Sequence, residues 1–174
     1  MSSDIESSVA ALGPVVQEYQ AVVDDFDRES ARILGVNETD LRCLELAVTA
    51  GERGISPREI ADRLGLTTGS VTTMLVRLEQ AGHLTRSPHP SDGRRVIVKI
   101  TESAQTAIWE IIGPHIEEST AVVAGDFTAD ELASVRRFLS TVTAIQQRHV
   151  EALRGTPARG GGAVRTSTER RIEP

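Results

Sequence analysis

The chain has 174 residues, 39% of them hydrophobic and only 3% aromatic, with a formal net charge of −6; it is long enough for one domain with an aliphatic core, and its Ala and Leu content tilts the fold class towards helix. A single cysteine, Cys43, excludes an intramolecular disulfide and a four-cysteine zinc site. No apolar run reaches the roughly 18 residues of a membrane span, and Met1-Ser2-Ser3-Asp4 lacks the basic-then-apolar start of a signal peptide, so the expectation is a cytoplasmic protein with no membrane partner.

Residues 3–34 read as a first helix. Ser3-Asp4-Ile5-Glu6 fits a capping box. Val9, Leu12, Val15, Val16, Tyr19, Val22, Val23 and Phe26 recur close to a 3.6-residue period. Gly13-Pro14 is expected to kink this helix or delay its start. A second helix is predicted over 37–51, with Asn37 as N-cap, Asp40 at the third position, Leu41, Leu44 and Val48 as its stripe and Gly51 at its end.

Ser56-Pro57-Arg58-Glu59 is a capping box with proline at the first helical position. The short helix it opens buries Ile60, Ala61 and Leu64 and stops at Gly65. Thr67 caps the next helix, which runs to about Ala81 with Val71, Leu75 and Leu78 inward and Gly82 after it. Two short helices joined this tightly make a helix-turn-helix. A hairpin follows. Leu84-Thr85-Arg86 forms a short strand and residues 95–100 a longer one, apolar at Val96, Val98 and Ile100, with Ile97 breaking the alternation. Residues 87–94 read as the loop between them. The result is a winged helix.

Thr101 opens a fifth helix, in which Gly113-Pro114 should produce a kink or a split. Thr128-Ala129-Asp130-Glu131 caps a sixth, running to about Leu153 with Leu132, Val135, Leu139, Val142 and Ile145 on one face. From Gly155 the composition turns to Gly, Pro, Thr, Ser and Arg, read as a disordered tail.

Charge is unevenly spread. Residues 53–99 hold eight Arg/Lys against four Asp/Glu, whereas residues 1–52 hold three against eleven. Phosphate attraction depends on the local patch, so the acidic total does not exclude nucleic acid.

The run I-S-P-R-E-I-A-D-R-L-G-L-T-T-G-S-V-T-T-M-L-V-R-L-E-Q-A-G-H-L-T-R at 55–86, followed by P-S-D-G-R-R-V-I-V-K-I-T at 90–101, resembles the MarR family of bacterial regulators. So does the order of elements, and the resemblance covers roughly residues 5–152. The fold class expected is mainly α with a small β-hairpin wing: a winged helix-turn-helix flanked by N- and C-terminal dimerisation helices. The divisions are 1–36 (dimerisation helix), 37–101 (DNA-binding domain, with the helix-turn-helix at 56–82 and the wing at 84–100), 102–153 (dimerisation helices) and 154–174 (tail). The resemblance implies a homodimer whose first and last helices interlock. It further implies repression of nearby genes, released by a small amphipathic or phenolic ligand or, in some members, by thiol oxidation. Three departures stand out: Gly113-Pro114 where the family has a continuous helix, Thr73 where many members carry a longer polar or basic side chain, and the tail.

The candidate DNA-binding residues follow from groove geometry. A recognition helix with short polar side chains near its start can approach base edges in the major groove, and Thr67, Thr68, Gly69, Ser70, Thr72 and Thr73 provide them. Thr67 doubles as the cap; Thr68, Thr72 and Thr73 lie on the outward face. Arg77, one turn on, is placed for phosphate, as are Ser56 and Arg58 at a positive helix end. In the wing, Arg86, Arg94 and Arg95 are candidates, one of the last two for the minor groove. The resemblance implies that Asp92 forms a salt bridge within the wing.

Tyr19, Phe26 and Trp109 are candidates to line a ligand pocket, with ordinary core packing as the other reading. Cys43 reads as a packed apolar residue, with redox sensing as the alternative. His83, His89, His115 and His149 include no pair at i, i+4 spacing, so no metal and no cofactor are expected; His83 is placed to cap a helix end. Two other classes of function compete with a DNA-binding repressor. A winged-helix protein-interaction module would want an apolar recognition face in place of threonines and arginines. An enzyme would want a Gly-rich phosphate loop or a nucleophile motif such as G-x-S-x-G, and neither occurs.

Overall fold

The computed structural model describes residues 2–89 and 92–156. The Ser3 side chain of the first expected capping box, the side chain of Arg94, Pro90-Ser91 and the tail from residue 157 lie outside the described residues. In chain order the elements are α1 (Ser2–Leu34), α2 (Glu38–Ala50), a single 3-10 turn (Gly51–Arg53), α3 (Pro57–Leu64), α4 (Thr68–Gln80), β1 (Leu84–His89), β2 (Asp92–Ile100), α5 (Glu102–Asp126) and α6 (Ala129–Arg154). Residues up to Thr120 form one unit and those from Ala121 a second. No described helix is long and apolar enough to cross a membrane.

The first unit is built round a core of Cys43 and Leu44 from α2, Ile60 from α3, Val71, Met74, Leu75 and Leu78 from α4, and Leu84 and Val98 from the hairpin, with Ile108 of α5 against it. Local signals fix the helix ends. The Asn37 side chain accepts from the Asp40 N–H at 2.8 Å. Gly82, at φ +77°, lets the His83 N–H reach back to the Leu78 carbonyl at 2.9 Å, so the backbone of His83 closes α4. Thr101 caps α5 by accepting from the Ala104 N–H at 3.2 Å while donating to the Gly82 carbonyl at 2.8 Å.

Three expectations are corrected. α1 begins at Ser2, ahead of Pro14, and α5 continues past Pro114, so neither the delayed start nor the split is found. In α5, Gly113 makes room for the ring of Trp109 one turn earlier; a Cβ there would stand 3.2 Å from the indole nitrogen. The hairpin is longer than the sequence suggested, with Ser87 facing Ile97 and Pro88 facing Val96. Pro88 is tolerated because β1 is an edge strand, where the missing N–H faces no ladder partner.

The burial of β2 is also shifted. Val96 is exposed, whereas Ile97 and Val98 are buried. The reason lies before α3: Ile55 bridges Val98 through two backbone hydrogen bonds of 2.9 and 3.0 Å, covering that side of the strand. Gly54 beside it has φ +67°, and any Cβ would meet the Ile97 side chain and stand 2.9 Å from the Val98 carbonyl oxygen. Only glycine lets the chain pass so close to β2.

In the second unit Thr128 caps α6 through a complete capping box: it accepts from the Glu131 N–H at 3.3 Å and donates to the Glu131 carboxylate through both its N–H and its hydroxyl. α6 buries no residue within the chain, and Leu132, Val135, Leu139 and Ile145 stand exposed along it.

Candidate nucleic-acid interface

α3 and α4 form the helix-turn-helix. The Ser56 N–H and hydroxyl donate to the Glu59 carboxylate at 2.9 and 2.8 Å, and the Ser56 hydroxyl accepts from the Glu59 N–H at 3.2 Å. These bonds, the backbone one foremost, hold the Glu59 carboxyl below its ordinary value. Ser56 is buried, and its hydroxyl serves the cap. Arg58 is exposed and has no ion-pair partner among the described residues. Gly65 turns the chain at φ +67°, and Thr67 caps α4 by accepting from the Ser70 N–H at 3.2 Å; its hydroxyl also lies 2.9 Å from that of Ser70.

The faces of α4 are sharply divided. Val71, Met74, Leu75 and Leu78 are buried, while Thr68, Gly69, Ser70, Thr72 and Thr73 are exposed. The Thr72 hydroxyl donates to the Thr68 carbonyl at 2.9 Å and the Thr73 hydroxyl to the Gly69 carbonyl at 3.2 Å. Val76 shares this outward face, 36% exposed. As an apolar side chain it does not stand out in the sequence from the buried residues of α4. Its spacing, four residues from Thr72 and three from Thr73, was the available signal.

Arg77, which the sequence places for phosphate, is also engaged within the fold. Its guanidinium donates twice to the buried carboxylate of Asp40, at 2.6 and 2.9 Å, tying α4 to the start of α2. The hydrogen bonds and charge of Asp40 raise the Arg77 pKa further. About half of the Arg77 side chain stays exposed, leaving one edge for solvent.

Arg86 in β1 is similarly engaged. It donates through Nε to Glu79 of α4 at 2.9 Å and through a terminal nitrogen to the same carboxylate oxygen. That contact lowers the Glu79 pKa. Lys99 pairs with Glu52 at 3.1 Å. Arg95, exposed on β2, has no ion-pair partner among the described residues; with Arg86, Ser87, Pro88 and Val96 it lines an open groove of about 280 Å³. Asp92 opens β2 opposite His89. Among the described residues the winged helix thus presents Arg58, Arg63 and Arg95 as exposed cations without an ion-pair partner, while Arg77 and Arg86 brace it internally.

The three aromatic candidates separate. Tyr19 and Trp109 are exposed, at 69% and 55%. Phe26 packs its ring 5.2 Å from that of His115 and, with Ser30, Leu34, Leu41, Ile108 and Ile112, lines a cavity of about 50 Å³. Glu45 and Asp27 line it as well, and burial, followed by the Asp27 charge, raises the Glu45 pKa. Cys43 is fully buried, and desolvation, followed by the nearby Asp40 charge, pushes its thiol up to about 12.

Comparison with known proteins agrees with this geometry. The model of the MarR family matches residues 36–96. The chain is 31% identical over 129 residues to the uncharacterized HTH-type transcriptional regulator YcgE of Bacillus subtilis, covering 74% of this chain and 82% of that one. It superimposes on apo MarR from Escherichia coli with a TM-score of 0.52 at 26% identity, over 75% of this chain and 96% of that one. CouR from Rhodococcus jostii, solved bound to p-coumaroyl-CoA, shares the fold at 18% identity with a TM-score of 0.55, over 75% and 90% of the two chains.

Proposed function

The chain belongs to the MarR family of DNA-binding transcriptional regulators, and on that premise we propose that it is a dimeric, cytoplasmic repressor released from a pseudo-palindromic operator by a small ligand. The observation that carries the reading is the exposed threonine face of α4 in a winged helix that also exposes Arg58, Arg63 and Arg95 with no carboxylate paired to them among the described residues. Short side chains admit the helix to the major groove, and unpaired cations are available to displace counterions from phosphate. Family members are regulators and not enzymes.

Dimerisation is supported by α1. Ile5, Val9, Leu12, Val15, Tyr19 and Val22 recur at three- and four-residue intervals and are all 41–69% exposed. An apolar stripe of that length calls for a partner surface, and in this family a second copy is typical. Two recognition helices related by a two-fold axis would read half-sites about one helical turn apart. The divisions proposed for the chain are the same as those read from the sequence, with residues 37–101 carrying DNA and the flanking helices the dimer.

The ligand would enter beside Phe26. At about 50 Å³ the cavity there is far smaller than the roughly 300–1,000 Å³ of small-molecule sites, so an amphipathic or phenolic ligand must open it. Displacement of α1 and α5 by that opening would alter the spacing of the recognition helices. CouR, with p-coumaroyl-CoA bound on the same fold, supports a ligand of this kind.

Selection of bound duplexes from a random library at physiological salt tests the reading. An enriched two-fold palindrome is the expected result. A folded protein that enriches nothing would move the winged helix to the class of protein-interaction modules.

A further inference from the structure

Recognition helices commonly read bases with hydroxyl and amide donors, yet α4 has few donors to offer on its outward face. The hydroxyl hydrogens of Thr72 and Thr73 are committed to the carbonyls of Thr68 and Gly69, one turn back on the same helix. A threonine held this way turns its oxygen along the helix and leaves its methyl as the group facing outward. Val76 continues the same surface with two more methyls. Along the stripe 69, 72, 73 and 76, the outward groups are a bare backbone, then methyls.

Gly69 adds an independent observation. Its φ is not positive, and a Cβ there would meet nothing closer than the Thr67 hydroxyl at 4.0 Å. Neither backbone conformation nor packing within the chain requires glycine, and glycine in a helix is disfavoured relative to alanine. What glycine provides is close approach of the helix backbone to something outside the chain.

We propose that α4 reads thymine 5-methyl groups through the methyls of Thr72, Thr73 and Val76, brought within van der Waals reach by the missing side chain of Gly69. This rests on the DNA-binding reading above and specifies what the helix reads. In the major groove the C5 methyl is the only apolar group on any base edge, so a face of methyls discriminates A·T from G·C pairs without a donor. The threonine oxygens retain lone pairs and can accept from an adenine N6 amine next to the contacted thymine.

Two random duplex libraries selected in parallel, one with thymine and one with uracil in its place, test this. The expected result is a palindrome in the thymine library whose A·T positions lose their enrichment in the uracil library, with affinity falling roughly fourfold for each contacted methyl removed. The double variant Thr72→Ser/Thr73→Ser, which keeps the hydroxyls and leaves only Val76 to read methyls, should lose most of the thymine preference, and Thr72→Val/Thr73→Val should retain it; thermal melting of each variant checks that it is folded. The same motif enriched equally from both libraries would overturn the methyl reading and leave the regulator intact. An unchanged thymine preference in the serine variant would overturn it as well. No motif from either library would overturn the DNA-binding reading and this one with it.

Discussion

Arg77 on the recognition helix clamps Asp40, 37 residues earlier, with Nε and a terminal nitrogen each donating to a separate carboxylate oxygen. The Asp40 side chain is 3% exposed and that of Arg77 51%, so the carboxylate depends on the arginine far more than the reverse. Arg77→Ala would strand a buried charge, and a loss of roughly 1–3 kcal/mol in urea unfolding is expected. Asp40→Ala frees the arginine towards water and should cost less than Arg77→Ala. The double variant should cost less than the two singles added, which is the signature of a coupled pair. Strict additivity would mean that the pair does not fix α4 against α2.

The unpaired Arg58 and Arg95 and the braced Arg77 and Arg86 should behave differently. Arg58→Ala and Arg95→Ala are expected to leave the thermal midpoint almost unchanged and to weaken DNA binding across sequences. Each should shallow the salt dependence by about two in a dimer, because one phosphate per protomer is no longer neutralised. Arg86→Ala breaks its pair with Glu79 and should act mainly on stability, leaving the salt slope close to that of the parent. Fluorescence anisotropy on a labelled duplex across a salt series separates the two classes.

Acid should loosen the helix-turn-helix through its cap. Glu59 titrates below the ordinary value near 4.5 because the Ser56 N–H and hydroxyl bind its ionised form. A lowered pKa in the folded state means stabilisation that is present above that ordinary value and is lost as pH falls through the folded one. Melting temperature followed downward from neutral pH at fixed ionic strength should therefore drop below about pH 4.5 in the parent. Glu59→Gln should start lower and fall less steeply over that range. Parallel curves for the two proteins would remove Glu59 from the acid response.

Cys43 should be silent as a redox sensor. With its thiol pushed up to about 12 by burial, almost no thiolate exists at neutral pH. Alkylation by iodoacetamide is expected only under denaturing conditions, and peroxide treatment should leave DNA affinity unchanged. Labelling of the native protein at the rate of a free thiol would contradict this placement.

What the sequence made legible was local. The caps at Asn37, Ser56, Thr67 and Thr128, and the stops at Gly65 and Gly82, act within one turn, so residue type and spacing sufficed to place α2, α3, α4 and α6. What was hidden depends on residues far apart in the chain. Nothing near Arg77 announces Asp40, and Arg86 meets Glu79 only once β1 folds back beside α4. Val96, Ile97 and Val98 are equally apolar, and which of them is covered depends on Ile55 and Gly54, more than 40 residues away. For the same reason arginines legible as cations could not be sorted into those that face outward and those that brace the fold. At the glycine-proline pairs a local rule allowed a late start of α1 or a split of α5, and packing overrides both: α1 begins ahead of Pro14 and α5 continues past Pro114.

The central claim is that two copies of this chain read two half-sites at once. Its most direct test is anisotropy titration of three duplexes of equal length: the selected palindrome, the same palindrome with one half-site scrambled, and one with about five base pairs inserted at its centre, which turns the half-sites to opposite faces of the helix. The account predicts two chains bound per intact palindrome and an affinity at least roughly a hundredfold weaker for each of the other two. Equal affinity for all three would contradict it, because a chain that ignores both the second half-site and its spacing is not reading DNA as a symmetric dimer.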